Sequence, residues 1–357
     1  MSSTRFRTVT AIVVGALLVT TLAASGAAFA SGVSRSSSAA ASSRKAAVLT
    51  LPQKHSAQRA AVWLASKVNA QGFISLSGHP DLSDTAQAVL ALAAAGNEHK
   101  AALRALNYLK SHVNTYVTQG GTDGPGQLAT LTLGAHALGV NPAKFGGTNL
   151  VTRLLATKRS SGSDVGLFGA QDPTYDGAYR QGIALAALAA AGVHSSGAVG
   201  PAITWLEHQQ CSNGGWESYR SSTTTPCPPT DAATYSGPDT NSTALAIEGL
   251  QAQHAALHHY LAVFFRALQY ADGGWGSYGG ASDPDSTSLV VQALLSMHRT
   301  VSSSTFRRGT KDPVSAVLAF QLKSGAFYFP AQGSPKTANF LATEQAIPAL
   351  MSKSLPF

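Results

Sequence analysis

Asp283 and Asp285 stand two residues apart in SDPDSTSLVVQALL, directly ahead of an apolar run. Paired carboxyls at that spacing suit two kinds of chemistry. One is proton donation, which requires that a carboxyl of ordinary pKa, about 4, be kept neutral by burial or by a neighbouring carboxylate. The other is helix initiation, in which a side-chain oxygen accepts from the free backbone N–H groups of the first turn and complements the helix dipole.

The same pattern recurs without the full pair. DLSDTAQAVLALAAAG and PDTNSTALAIEGLQA also run from Asp and Ser through a threonine into an apolar segment. Asp84, Ser242 and Ser286 immediately precede Thr85, Thr243 and Thr287, where a cap is expected, and Asp84 with Gln87 has capping-box spacing. Asp239 is read the same way. Cys211 and Cys227 close a loop of about 15 residues; bridged, it is worth about 3 kcal/mol in the loop-entropy account. A metal site is the alternative for the two thiols, but no Cx2C or HxxxH spacing accompanies them, so no metal is expected. His258 and His259 are adjacent and point to different helix faces. Gly-x-Ser-x-Gly, phosphate-loop and HExxH patterns are missing.

The elements that position these residues repeat. Gln210 and Gln269 each begin a Gln-x3-Gly-x-Trp stretch ending at Trp216 and Trp275, and Gln321 begins the same spacing ending at Phe327. Weaker echoes are GLF at 166–168 and NAQGF near Phe73. Amphipathic segments such as AALRALNYLKSHV and PAITWLEHQQ precede the turns, and segments apolar nearly all round follow them. A helix apolar on every side belongs in an interior. Six such units, roughly 40 to 55 residues apart as in helical repeat arrays, give six outer and six inner helices. The repeated tryptophans, glutamines and glycines are read as scaffold, with the glycines allowing close approach.

The remaining sequence bounds the setting. Arg5 and Arg7, an uncharged run, and Ala28-Phe29-Ala30 make residues 1–30 a secretory signal peptide, and residues 31–53 a Ser/Ala-rich flexible segment. Charged residues are 12% of the chain and hydrophobic ones 44%, enough for a sizeable core. Without Arg5 and Arg7 the formal charge falls from +8 to +6. The remaining basic residues are scattered, which argues against nucleic acid as a partner. Expectations are a secreted, extracellular monomer with no stable membrane insertion after signal cleavage.

The Gln-x3-Gly-x-Trp turns and Asp/Ser-Thr helix starts resemble the repeats of the terpenoid cyclase and protein prenyltransferase superfamily, including squalene cyclases, over about residues 54 to 353. That resemblance implies an all-α (α/α)6 toroid spanning 54–357, with six helical hairpins in inner and outer rings; an open solenoid is the structural alternative. In a toroid the inner helices share one rim, so Asp84, Asp176, Asp239, Asp283 and Asp285, with Tyr179, are expected to line an acidic mouth where a ligand binds.

For protonation-initiated cyclases the family pattern is Asp-x-Asp-Asp followed by Thr, with the middle Asp as the acid. Asp285 matches that acid, Asp283 the first carboxylate and Thr287 the threonine, whereas Ser286 replaces the last Asp. Among the inner segments Tyr179 and Phe340 are the notable aromatic residues, a poor lining for steering carbocations. Squalene cyclases also have a second barrel, for which this chain has no room. Protein prenyltransferases hold zinc through Asp, Cys and His, and their Cys position corresponds here to Asp285; the thioester motif of complement-like toroids is missing. Secreted cobalamin carriers resemble the same toroid in non-catalytic use. The expectation is therefore a binding module, without a cofactor, for an unknown small molecule or cell-surface partner. A class II terpene cyclase using Asp285, with Asp283 and Tyr179 in support, is the alternative.

Overall fold

In the computed structural model of the protein, the description covers residues 50–169, 177–257, 261–330 and 335–357. Residues 1–30, expected to be a signal peptide, nearly all of the Ser/Ala-rich segment, Asp176, and the His258-His259 doublet lie outside the described residues.

Alternation of amphipathic and apolar segments sorts the helices into two rings. The apolar ones are α2 (Leu82–Ala95), α5 (Pro125–Ala137), α7 (Ala178–Ala190), α9 (Thr240–Ala252), α11 (Pro284–Ser296) and α13 (Phe340–Leu350). Each packs on the next in that order, and α13 packs back on α2, so the inner ring is closed. Outside it lie α1 (Leu51–Ala65), α3 (His99–Ser111), α6 (Leu150–Ala156), α8 (Ser196–His208), α10 (Leu261–Leu268) and α12 (Pro313–Leu318). The short α4 (Val113–Val117) and two small antiparallel hairpins, β1–β2 (Ile74–Leu76, His79–Asp81) and β3–β4 (Thr118–Gln119, Thr122–Asp123), fill connections on the way to α5 and α2. α1 begins at Leu51, three residues ahead of the boundary at 54.

This is an α/α toroid rather than an open solenoid, because the last turn docks on the first helix. Gln321 Nε2 donates to Ser56 O at 2.8 Å, and Arg59 Nη2 donates to Gln321 Oε1 at 2.6 Å. Gly325, at φ +97°, lies so close to α1 that a Cβ there would sit 2.5 Å from Arg59 O. The equivalent glycines Gly72, Gly166 and Gly273 also have positive φ and press on the following outer segment at Arg104, Pro201 and Asp312. Glycine is needed here on both counts, conformation and space.

The turns are bound to the inner helices by one recurring contact. The backbone N–H of Trp216, Trp275 and Phe327 donates to the hydroxyl of Thr243, Thr287 and Thr343, at 2.8, 3.0 and 2.9 Å. Ile74 does the same with Thr85 at 3.0 Å, so Ile74 rather than Phe73 holds the aromatic position of the first turn. At the third turn Gln181 Oε1 replaces the threonine and accepts from Phe168 N–H at 2.9 Å. Gln210, Gln269 and Gln321 each donate to the carbonyl of the turn glycine, Gly214, Gly273 or Gly325. Trp216 and Trp275 are buried, and their indole N–H groups reach Leu206 O and Phe265 O in the outer helices.

The small residues expected to bring backbones together act most strongly between α7 and α9. A Cβ on Gly182 would fall 2.0 Å from Leu245 O, and one on Gly249 would fall 2.4 Å from Gly182 O. Cys211 and Cys227 form a disulfide in the excursion that precedes α9. Among the described residues, no helix is long and apolar enough to cross a membrane.

Candidate functional site

The inner helices point their N-terminal ends to one side, and what caps them decides which carboxyls are left for a ligand. Asp84, Ser242 and Ser286 do not cap; the caps stand three residues ahead of them, and Asp239 among these was expected. Asp81, not Asp84, caps α2, accepting from Asp84 N–H at 2.8 Å. Asp239 caps α9 through Asn241 and Ser242 N–H, and Asp283 caps α11 through Ser286 N–H at 2.7 Å. Ser242 and Ser286 are thus the recipients of caps; Ser286 also donates its hydroxyl to Asp283 Oδ2 at 2.9 Å. The physical reason is the extended backbone at 81, 239 and 283, which leaves the following residues already helical.

Asp283 is therefore committed to the helix start, and Asp285 is not. Asp285 is 8% exposed, and its Oδ1 has no hydrogen-bond partner. Burial, followed by the adjacent Asp283 carboxylate, pushes its carboxyl up to about 7. Burial also raises Asp283, against the hydrogen bonds from Ser286. Asp239 rises to about 6 through burial, opposed by its bonds from Ser242, Asn241 and Ser277. Asp84 rises to about 6 through burial and the charge of Asp81.

Two carboxyls that pattern reading passed over complete the group. Glu344, on the second turn of α13, is 3% exposed, and neither of its oxygens has a partner. Burial is the main reason its carboxyl is held well above the ordinary range, and Asp84, Asp81 and Asp285 add to the shift. Glu248 lies deeper, on α9, where burial pushes it up to about 8. Each is the single charged residue of its inner helix, and an isolated acid in an otherwise uncharged apolar segment was the available signal.

Tyr179, at the start of α7, faces the same space. Burial and then the Asp285 charge push its phenol up to about 12, while a side-chain hydrogen bond with Gln345 works the other way. The charges of Asp239 and Glu248 raise the phenol as well. Tyr116 of α4 is buried and feels Asp81, Glu344 and Arg180, so this end of the ring also carries a cation. Phe340 instead packs on Trp63 of α1, with ring centroids 5.4 Å apart.

Within the ring is a cavity of about 70 Å3, lined by residues of all six inner helices together with Leu355 and Phe357. Tyr179, Glu344, Thr130 and three amides, Gln87, Gln292 and Gln345, supply its polar groups; Leu90, Leu133, Ile183, Leu245 and Leu289 supply most of the rest. Pockets for drug-sized ligands run to about 300–1,000 Å3. Cys211, Cys227 and Glu217 lie close enough to hold an ion, but the disulfide takes up both thiols.

No protein-family model matches the chain, and no curated protein matches it in sequence. Solved structures do match it in fold. The type II terpene cyclase MstE from Scytonema is 16% identical with a TM-score of 0.56, covering 85% of this chain and 98% of that one. An unsaturated glucuronyl hydrolase specific for heparin is 12% identical with a TM-score of 0.59, covering 84% and 96%. A Candida albicans protein geranylgeranyltransferase-I complexed with GGPP is 11% identical with a TM-score of 0.53, covering 85% and 91%. The chain thus has the α/α-toroid fold found in terpene cyclases and protein prenyltransferases. The same fold serves unlike chemistries, so the site has to carry the functional argument.

Proposed function

We propose that the chain is an exported binding module that holds a small molecule at the carboxyl-lined end of its lumen without turning it over. The observation that carries this reading is Glu344, which lines the lumen buried with both oxygens unpartnered and feels the charge of Asp285, itself with one oxygen unpartnered. Buried acceptors without donors are costly, and a ligand bearing hydroxyl or amine hydrogens would satisfy them. Export is supported by the leader-like first thirty residues and by the Cys211–Cys227 disulfide. A ring that closes on itself leaves no open end to be covered, which supports a monomer.

A second reading, protonation-initiated terpene cyclisation, is favoured by one specific observation. Asp285 is held protonated close to neutrality with an oxygen free, which is what a general acid needs. One feature of the lumen weighs against it: amide side chains in its wall would trap a passing carbocation rather than steer it.

Native mass spectrometry of the full chain purified from its own host tests the first reading. A stoichiometric small-molecule adduct, lost in Glu344→Gln, is expected. Incubation with linear C20 to C30 isoprenoids tests the second; a cyclised product from the wild type, but not from Asp285→Asn, would replace the binding reading.

A further inference from the structure

The lumen is lined partly by the chain segment that follows α13. Met351 N–H and Lys353 N–H close the helix onto Ile347 O and Pro348 O, and Ser352 between them adopts φ +51°, a left-handed turn that sends the chain back under the ring. A serine in that conformation persists where surrounding contacts hold it. The turn itself is held by carbonyls at the end of α13, and the residues after it are held across the ring. Leu355 N–H donates to Glu248 Oε2 at 2.7 Å, and Glu248 belongs to α9, beyond α11. Ser354 and Leu355 also border a groove with His254, Ser296 and His298 at the C-terminal ends of α9 and α11, so the segment enters from the mouth opposite the acidic one. Leu355 and Phe357 then pack against the core and form part of the cavity wall.

We propose that residues 352–357 are an intramolecular stopper of the lumen, held by Glu248 and displaced when an apolar molecule occupies the space that Leu355 and Phe357 fill. Glu248 is 1% exposed, and its other oxygen, Oε1, has no partner. Its one hydrogen bond given by the structure is to the segment itself, so this buried acid serves the stopper and not the ring. A backbone amide is a weak tether for a segment that is otherwise only half-buried, which suits displacement better than permanent closure.

This inference rests on the lumen being a ligand site. The test compares the full chain with a variant ending after Lys353, titrating both with the neutral probe N-phenyl-1-naphthylamine. The truncated form is expected to bind one probe about ten-fold more tightly, the factor for an open state populated at about one part in ten in the full chain. Equal affinity in the two forms, or no binding by the truncated one, overturns the stopper. If truncation prevents folding, hydrogen exchange of the Leu355 amide in the full chain serves instead. Exchange should accelerate on saturation with probe, and unchanged protection overturns the proposal. Lack of a native adduct with intact stopper behaviour would sink the carrier reading alone; an adduct with no truncation effect would sink the stopper alone.

Discussion

The hydroxyl of Thr287 accepts the backbone N–H of Trp275 at 3.0 Å and donates to Trp275 O at 3.1 Å. One side chain thus bonds both backbone polar groups of a buried residue and fixes the turn to the inner helix. Thr287→Val keeps the shape and leaves the Trp275 N–H unpaired, while Trp275 O still accepts from Asp283 N–H, at a cost of about 1–3 kcal/mol. Urea unfolding should show that loss, and Thr343→Val should behave alike; an unchanged midpoint would mean the turn is held by packing alone.

Stability should fall as pH rises through neutrality. Asp285 and Glu248 are carried up to about 7 and about 8 in the fold, from about 4 in the unfolded chain. A raised carboxyl favours the folded state fully below its unfolded pKa, and that contribution is lost as pH climbs to the folded value. For Asp285 the difference is on the order of 4 kcal/mol between pH 4 and pH 8. Asp285→Asn and Glu248→Gln should therefore raise Tm more at pH 8 than at pH 5, as read by calorimetry at both values.

Gly182 has no room for a methyl group. Its Cβ would lie 2.0 Å from a backbone carbonyl on α9, so Gly182→Ala is expected to cost on the order of 3–5 kcal/mol or to abolish soluble expression. Gly197 on α8 faces open space, and Gly197→Ala should instead be neutral or stabilise by up to about 1 kcal/mol. Circular dichroism melts of the two variants give opposite signs if helix approach sets the requirement.

Reduction of the Cys211–Cys227 bridge releases a loop of about 15 residues and should cost about 3 kcal/mol. The loop precedes Asp239, the cap of α9, so a reduced sample should also show faster amide exchange at Asn241 and Ser242.

Ring architecture was legible because it is written in repetition: the Gln-to-Gly-x-Trp spacing and the threonine four residues after each cap recur from turn to turn. The capping role of Asp239 and the helix start at Asp283 were legible, whereas Asp81 stands three residues ahead of the expected Asp84, before the segment where apolar periodicity becomes visible. Glu344 and Glu248 matter because they occur once each, and a search for recurrence passes over single residues. Leu355 and Phe357 carried no pattern at all; their place in the lumen follows from a chain reversal at Ser352 that only three-dimensional contacts reveal.

Docking of Gln321 on Ser56 joins residues 265 positions apart, and it makes the six units share one geometric constraint. Their rotations have to sum to a full circle, so no unit can be inserted, deleted or re-angled on its own without prying that seam open. An open array adjusts its binding surface by changing length. A sealed one keeps its circumference, and its capacity can change only through the side chains that face inward and whatever is threaded through the hole.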